Sequence, residues 1–214
     1  MERVWYVAYG SNVASGRFRC YLGGGRPVGG TRVYDGCRDP RAPSAERSLE
    51  LAGRLVFAGR SKVWGGGKAF YDVSAPGTVA AKAYLVSVEQ FADIAAQEMW
   101  SPPGGDFASR VADLLPQLDT MTALGAGDYE TVHRLGQADG HPLLTVTSDR
   151  LAELEPAAPA APYLWWIATG LKQAHGWNSS RVGHYLSEAT GARGSWSAAD
   201  VTALVDRPAP PTSR

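Results

Sequence analysis

Short runs of apolar, aromatic and β-branched residues fill the first two-thirds of the sequence, a pattern typical of β-strands. The run over residues 4–8 leads directly into the turn Tyr9-Gly10-Ser11-Asn12, and a helical pattern begins near Ala14. Later runs predict strands at 54–58, 69–73, 78–86, 129–137 and 142–147, and Asp139-Gly140 between the last two is a strong hairpin signal.

The hydrophobic period changes to about 3.6 residues after Ser87, which predicts a helix. Ser87 and Gln90 have the spacing of a capping box, and Phe91, Ile94, Ala95 and Glu98 fall on one face of that helix. A second amphipathic helix is predicted over 107–115, ending near Pro116. The last third predicts three more helices: 163–174 closed by Gly176, 182–189 closed by Gly191, and 197–205 opening with Ser197 and Asp200.

This order of elements indicates an α+β fold rather than a doubly wound parallel sheet, because few strand–helix–strand alternations occur. We expect a small mixed β-barrel or curled sheet with flanking helices and a helical C-terminal region. We expect one domain over residues 1–206, with a long irregular segment at 26–50 and an inserted loop and helix at about 101–120. Residues 207–214 are expected to form a flexible tail.

Composition and charge exclude several classes of function. The 214 residues are 44% hydrophobic and 20% charged, and 21 basic residues balance 21 acidic ones, so no basic excess points to nucleic acid. We find neither a signal peptide nor a run of about 18 apolar residues, and therefore expect a cytoplasmic protein without a membrane partner. Cys20 and Cys37 lack the spacing of a redox pair or zinc site; we expect reduced thiols, with one disulfide left open.

The turn after the first strand is the first candidate for chemistry. A strand, a glycine turn and a helix start together direct backbone N–H groups at one point, which makes a cradle for an anion or a carbonyl. Gly10 allows a ligand to approach the backbone closely, and Ser11 and Asn12 are residue types that cap helices. An ordinary capped turn explains the same residues equally well.

Glu98 is the second candidate, because it shares an apolar helix face with Phe91 and Ile94. A buried carboxylate is unfavourable unless it is paired or protonated with a raised pKa, and a raised pKa suits a general acid/base. The alternative is a glutamate at a helix end that bonds to Trp100 or to a backbone N–H.

Other chemical candidates are weaker. The four histidines, His133, His141, His175 and His184, lack metal-ligand spacing, so we predict no metal site and no cofactor. The segment Gly23-Gly24-Gly25 lacks the lysine of a phosphate loop, and Cys20 and Trp165-Trp166 are interpreted as packing residues.

The segment Tyr9-Gly10-Ser11-Asn12 after an aromatic strand resembles the signature turn of the γ-glutamylcyclotransferase-like (AIG2-like) family. Further segments are similar to the family in the same order. They are Trp64-Gly65-Gly66 before a strand, Gln97-Glu98 at a helix end, and Pro162-Tyr163 through Ile167 and Gly170. Together they span about residues 4 to 176, most of one domain.

The resemblance implies a small β-barrel flanked by helices and an enzyme that acts on a small-molecule γ-glutamyl amide. The α-amine of the glutamyl group attacks its own γ-carbonyl, which releases an amine and leaves 5-oxoproline. The resemblance gives Glu98 the role of general acid/base, and Tyr163 that of closing the pocket. The implied substrate-binding residues are Tyr9, Gly10, Ser11, Asn12, Val13 and Tyr163. Tyr129 is similar to a further family tyrosine, and no cofactor is implied.

The sequence also departs from the family pattern. Met99-Trp100 follow Glu98 where the family usually has glycine, and segments 26–50 and 101–120 are elaborated. We expect both segments to border the pocket and to change which amine is released. Two alternatives stay open: an amide hydrolase or acyltransferase in the same pocket, and a non-catalytic binding module. The sequence identifies neither the amine nor the oligomeric state.

Overall fold

A computed structural model describes residues 2–209; positions 210–214 of the expected tail lie outside the described part. The strands are β1 (Arg3–Ala8), β2 (Glu46–Ala52), β3 (Arg54–Ala58), β4 (Lys68–Asp72), β5 (Thr78–Ser87), β6 (Met121–Ala123), β7 (Thr131–Ala138) and β8 (His141–Thr147). The helices are α1 (Ser15–Gly23), α2 (Val88–Glu98), α3 (Asp106–Leu114), α4 (Ala161–His175), α5 (Ser179–Ser187) and α6 (Ala198–Val205).

Six strands form one mixed sheet in the order β2-β5-β1-β8-β7-β6. Strand β1 lies in the middle, antiparallel to β5 and parallel to β8. Its residues are almost entirely buried, which agrees with the apolar run that predicted it. Strands β3 and β4 form a separate antiparallel hairpin. The predicted α+β class is therefore confirmed.

The predicted barrel is wrong, because the sheet is open. Strands β2 and β6 end the six-stranded sheet and do not pair with each other, and the hairpin β3–β4 does not close the gap. The hairpin instead makes isolated bridges to irregular segments, at Val56 with Thr190, Ala58 with Pro156 and Gly66 with Pro159. Irregular segments thus contact the hairpin where a closed barrel would have paired strands.

Two strands were not predicted. Strand β2 begins inside the segment 26–50 that was expected to be irregular. All of its residues are exposed or half-buried, because it is an edge strand. Its register along β5 runs from Glu46 opposite Tyr84 to Ala52 opposite Thr78. Strand β6 has only three residues, too few to show a period.

The helix boundaries follow the capping signals closely. Ser87 and Gln90 form the predicted capping box of α2, and Ser197 and Asp200 form that of α6. Gly176 ends α4 in the left-handed conformation, with φ of 64°. Helix α5 ends at Ser187, earlier than the predicted stop at Gly191.

Aromatic packing fixes the turn that follows β1. Phe18 of α1 stacks against both Tyr6 and Tyr84, with ring centroids 5.3 and 4.1 Å away. The Tyr84 hydroxyl donates to the carbonyl of Asn12 over 2.7 Å. Gly170 brings α4 against the same turn, since a Cβ there would lie 2.4 Å from the nitrogen of Ala14. The turn is thus held from both sides by the core.

Cys20 and Cys37 are free thiols, and no disulfide joins them. Among residues 2–209, no helix has both the length and the apolar character needed to cross a bilayer.

Candidate active site

One cavity collects most of the residues singled out in the sequence. It has about 740 Å³ of empty volume, part of which is open to solvent. Its walls come from the turn after β1, the start of α1, the loops around Arg32 and Trp64, the end of α2 and the start of α4. The lining residues are Tyr6, Ala8, Tyr9, Gly10, Ser11, Asn12, Arg17, Tyr21, Arg32, Tyr34, Ser61, Lys62, Val63, Trp64, Lys68, Ala69, Glu98, Trp100, Asp128, Tyr129, Val146 and Tyr163.

The turn presents fewer free N–H groups than the sequence suggested. Ser11–Val13 form a single 3₁₀ turn, in which the N–H of Val13 donates to the carbonyl of Gly10 over 3.0 Å. Val13 is buried and does not line the cavity, so the expectation that it binds a ligand is wrong. Within the described part of the chain, the N–H groups of Gly10, Ser11 and Asn12 have no acceptor. These three donors are left for a ligand.

Gly10 is required by space rather than by an unusual φ angle, which is −98°. A Cβ at this position would lie 3.2 Å from the hydroxyl oxygen of Tyr163 and 3.3 Å from the Cβ of Ala69. Such contacts are tight, so the glycine keeps the turn close to α4 and β4 while leaving the cavity open.

Glu98 is the last residue of α2 and faces the turn. Phe91, Ile94 and Ala95 are buried beneath it, while Glu98 itself is half-buried at the cavity wall. The Asn12 side-chain nitrogen lies 3.5 Å from Glu98 Oε1, at the long limit of a hydrogen bond. Burial raises the pKa of the Glu98 carboxyl above its ordinary value, although neighbouring groups, chiefly the Tyr21 hydroxyl and the Arg17 guanidinium, act against the shift.

Gln97 fixes the end of α2 that carries Glu98. Its side chain is fully buried, and Nε2 donates to the carbonyl of Tyr21 over 3.0 Å. Its own carbonyl accepts a 2.8 Å hydrogen bond from Arg32 Nη1. The carboxyl of Glu98 is therefore presented by a segment that the core holds in place.

Tyrosine hydroxyls line the opposite wall. The hydroxyl of Tyr163 accepts from the N–H of Ala69 over 3.2 Å, and Tyr129 donates to the carbonyl of the same residue over 3.0 Å. Burial raises the pKa of Tyr163 to about 12, so this hydroxyl stays protonated near neutral pH. Tyr9 donates to the carbonyl of Val146 over 2.8 Å, and its ring lines the cavity.

The structure adds residues that the sequence analysis did not single out. Arg17, which falls in the helical pattern that begins near Ala14, is buried in the cavity wall. Lys68 and Asp128 form an ion pair of 2.6 Å at the same wall. An arginine on the apolar face of α1 was the one signal available in the sequence, because arginine is rarely buried without a partner.

The mouth of the cavity is built around Trp100, which is 52% exposed and has a φ angle of 58°. The guanidinium of Arg32 lies 4.0 Å from the centroid of its indole ring, and the Lys62 ammonium lies 5.7 Å from it. Arg32 and Tyr34 bring segment 26–50 to the cavity, as expected.

Segment 101–120 does not border the cavity, contrary to expectation. It packs against α2 instead, where the N–H of Gly104 donates to Asp93 over 2.8 Å. The fully buried carboxylate of Asp93 also accepts from the backbone and side chain of Arg38. This insertion supports the outer side of α2.

No cluster of three or more histidine, cysteine, aspartate or glutamate side chains suited to a metal ion occurs in residues 2–209. The cavity instead combines the half-buried carboxylate of Glu98, tyrosine hydroxyls and cationic side chains with unpaired backbone N–H groups. Such a set can bind a small polar ligand and move a proton.

Comparison with known proteins gives weak likenesses. No family model matches the sequence. A curated protein from Arabidopsis thaliana named histone deacetylase 5 is 30% identical over a match length of 203 residues, and the match takes in 87% of this chain. The chain spans only about 30% of the length of that plant protein.

Two solved structures are similar in backbone. An uncharacterized protein from Homo sapiens has a TM-score of 0.49 at 17% identity, and a protein named gamma-glutamyl cyclotransferase has 0.48 at 15%. Each comparison covers 81% of both chains. Identities this low bear on the fold alone, and scores below 0.5 leave the function to be judged from the side chains of the cavity.

Proposed function

We propose that this protein is a γ-glutamylcyclotransferase-type enzyme, which releases an amine from a γ-glutamyl amide and leaves 5-oxoproline. The observation that carries the proposal is the shared cavity of Glu98 and the turn at Gly10–Asn12. A carboxyl with a raised pKa and a turn with unpaired backbone N–H groups both line this cavity, and the side chain of Asn12 joins them.

In the proposed reaction the α-nitrogen of the glutamyl group forms a bond to the γ-carbonyl carbon, and the amide C–N bond then breaks. No water is consumed. Because attacking amine and carbonyl belong to one molecule, holding the folded-back conformer supplies a large effective concentration. The walls formed by Tyr9, Trp64 and Tyr163 suit that task, since they are rigidly packed rings.

Glu98 would carry both proton steps. Ionised, it takes a proton from the α-ammonium group, which makes the amine nucleophilic; protonated, it returns that proton to the departing amine. Burial keeps the pKa of this carboxyl above the ordinary range of glutamate, which brings it nearer to neutral pH and favours a group that must both accept and donate.

The free N–H groups of Gly10, Ser11 and Asn12 would stabilise the negative charge that develops on the γ-carbonyl oxygen. In acyl-transfer enzymes, loss of one such donor raises the barrier by about 3–4 kcal/mol. The departing amine would face the mouth at Arg32, Lys62 and Trp100.

The proposal is tested by incubating the purified chain with a panel of γ-glutamyl amides whose amine parts differ in charge and size. We expect 5-oxoproline and free amine in equal amounts, with no free glutamate. Free glutamate would identify a hydrolase, and a glutamyl group transferred to an added amine would identify an acyltransferase. Binding of the amides without any product would indicate a non-catalytic module. Each of these three outcomes overturns the proposal.

A further inference from the structure

Arg17 is a buried cation with unused hydrogen-bonding capacity at the cavity wall. The residue is 2% exposed, and its Nη2 donates to the Tyr34 hydroxyl over 2.6 Å. Its Nε and Nη1 have no partner within residues 2–209. A buried donor without an acceptor costs desolvation free energy. A ligand that accepts hydrogen bonds from these two nitrogens recovers much of that cost on binding.

Aromatic rings surround the guanidinium but do not neutralise it. Its central carbon lies 4.3 Å from the ring centroid of Tyr34, 4.7 Å from Tyr21 and 5.7 Å from Trp64. These cation–π contacts offset part of the cost of burial. In the described part of the chain, no ion pair includes Arg17.

Two other cations of this protein, one at the cavity wall and one buried elsewhere, do have carboxylate partners. Lys68 pairs with Asp128 over 2.6 Å, and Lys82, also buried, pairs with Glu46 over 2.6 Å. A buried charge without an ionic partner is the arrangement that an anion completes. Arg17 differs from Lys68 and Lys82 in this respect. Glu98 of the same cavity acts on it electrostatically but does not form an ion pair with it.

We infer that Arg17 binds a carboxylate group of the ligand that occupies this cavity. Guanidinium groups present a planar fork of N–H donors that matches a carboxylate. The inference deepens the proposed function and rests on it for the substrate, whose glutamyl part carries an α-carboxylate. With that carboxylate on Arg17, the N–H groups of Gly10, Ser11 and Asn12 remain free for the developing oxyanion.

A purely structural role for Arg17 predicts different behaviour. If the side chain only fills space between Tyr21 and Tyr34, its replacement lowers stability and no anion stabilises the protein selectively. If Arg17 awaits a carboxylate, Arg17→Met still folds, because the unliganded parent protein already carries the cost of a buried charge without an ionic partner. The same variant then loses its response to carboxylates.

Thermal unfolding by circular dichroism separates these cases without any turnover. Acetate and uncharged acetamide are each added to the full chain at an ionic strength matched with chloride. We expect acetate alone to raise Tm, by roughly 3–6 °C at ten times its Kd, from the linkage between binding and stability. Arg17→Met should show no acetate effect, and Arg17→Lys a smaller one.

Lys82→Met is the matched control, since it also removes a buried cation but not one that lines the cavity. Its acetate response should equal that of the parent protein. Equal stabilisation of the parent by acetate and acetamide, or an unchanged acetate response in Arg17→Met, overturns the inference. If Arg17→Met does not fold, the changes in Tm that acetate and acetamide cause in the parent protein and in Arg17→Lys still test the inference.

A second measurement addresses turnover. For a γ-glutamyl amide, Arg17→Met should raise KM by about 10- to 100-fold, the range for a lost charge-assisted hydrogen bond. When the α-carboxylate of the substrate is converted to an amide, KM of the parent enzyme should rise by the same factor. KM of Arg17→Met should change little with this substrate, because the variant no longer binds the carboxylate. If no amide gives 5-oxoproline, the proposed function fails, while the acetate measurement still tests Arg17 alone.

Discussion

The side-chain amide of Asn12 lies between the Glu98 carboxylate, 3.5 Å away, and the Tyr6 hydroxyl, 2.9 Å away. This contact links the turn after the first strand to the end of α2, two segments 86 residues apart in the sequence. Asn12 thereby holds an uncharged donor against the carboxylate. The pKa of Glu98 should therefore depend on the charge of the side chain at position 12.

Asn12→Asp places a second carboxylate against Glu98 at almost unchanged shape. Like charges disfavour ionisation, so the pKa of Glu98 rises further. In the parent enzyme, activity should fall as the pH drops below the raised pKa of Glu98, because the protonated carboxyl cannot accept a proton. In the variant the same loss should occur at higher pH, which a profile of kcat/KM against pH measures.

Asn178→Asp is the control for that prediction. Asn178 caps α5 by accepting from the N–H of Arg181 over 2.8 Å, a role that aspartate fills equally well. Its pH profile should match that of the parent. Profiles that coincide for all three proteins would mean that Glu98 does not govern the pH dependence.

Tyr163→Phe and Tyr185→Phe form a second pair. Each hydroxyl accepts a hydrogen bond from a backbone N–H, of Ala69 and of Ala80 respectively, but only Tyr163 lines the cavity. Each change leaves one N–H unpaired and should lower the free energy of unfolding by about 1–3 kcal/mol. Denaturant titrations measure this loss.

Only Tyr163→Phe should also reduce kcat/KM, by about 2- to 10-fold, the value of one neutral hydrogen bond to the substrate. Equal kinetics for the two variants would remove Tyr163 from the binding site and leave it a packing residue.

Two glycines test how firmly α4 supports the turn. A Cβ on Gly170 would lie 2.4 Å from the nitrogen of Ala14, whereas one on Gly23 would meet nothing within 4 Å. Gly170→Ala should lower stability by about 1–3 kcal/mol through overpacking and reduce turnover by displacing the turn. Gly23→Ala should raise stability by about 0.4–1 kcal/mol, because alanine restricts the conformations of the unfolded chain. A Gly170→Ala enzyme with full activity would show that the turn tolerates displacement.

The sequence predicted elements whose signals are local. The capping boxes at Ser87 and Ser197, the hairpin at Asp139-Gly140 and the end of α4 at Gly176 depend on neighbouring residues only, and all are present. Asp139 and Gly140 have φ angles of 50° and 77°, as a tight hairpin turn requires.

The sequence did not predict features that depend on distant contacts. The predicted barrel was wrong because closure depends on which strands pair with each other. Strand β2 was missed because it has no buried residues that would show an alternating pattern. The free N–H groups could not be assigned either, since the bond from Val13 to Gly10 appears only once the turn has its 3₁₀ geometry. Arg17 was missed because a sequence does not show whether a cation finds a partner.

The most direct measurement of the central claim compares Glu98→Gln with Glu89→Gln. Both residues lie on α2, but Glu89 is exposed near its start and far from the cavity lining. With a γ-glutamyl amide that the parent enzyme turns over, release of 5-oxoproline is followed while circular dichroism confirms that both variants are folded. We expect Glu98→Gln to lose at least about a hundredfold in kcat, the range for a general acid/base, and Glu89→Gln to retain parental activity. A folded Glu98→Gln protein that still forms 5-oxoproline at the parental rate would contradict the account.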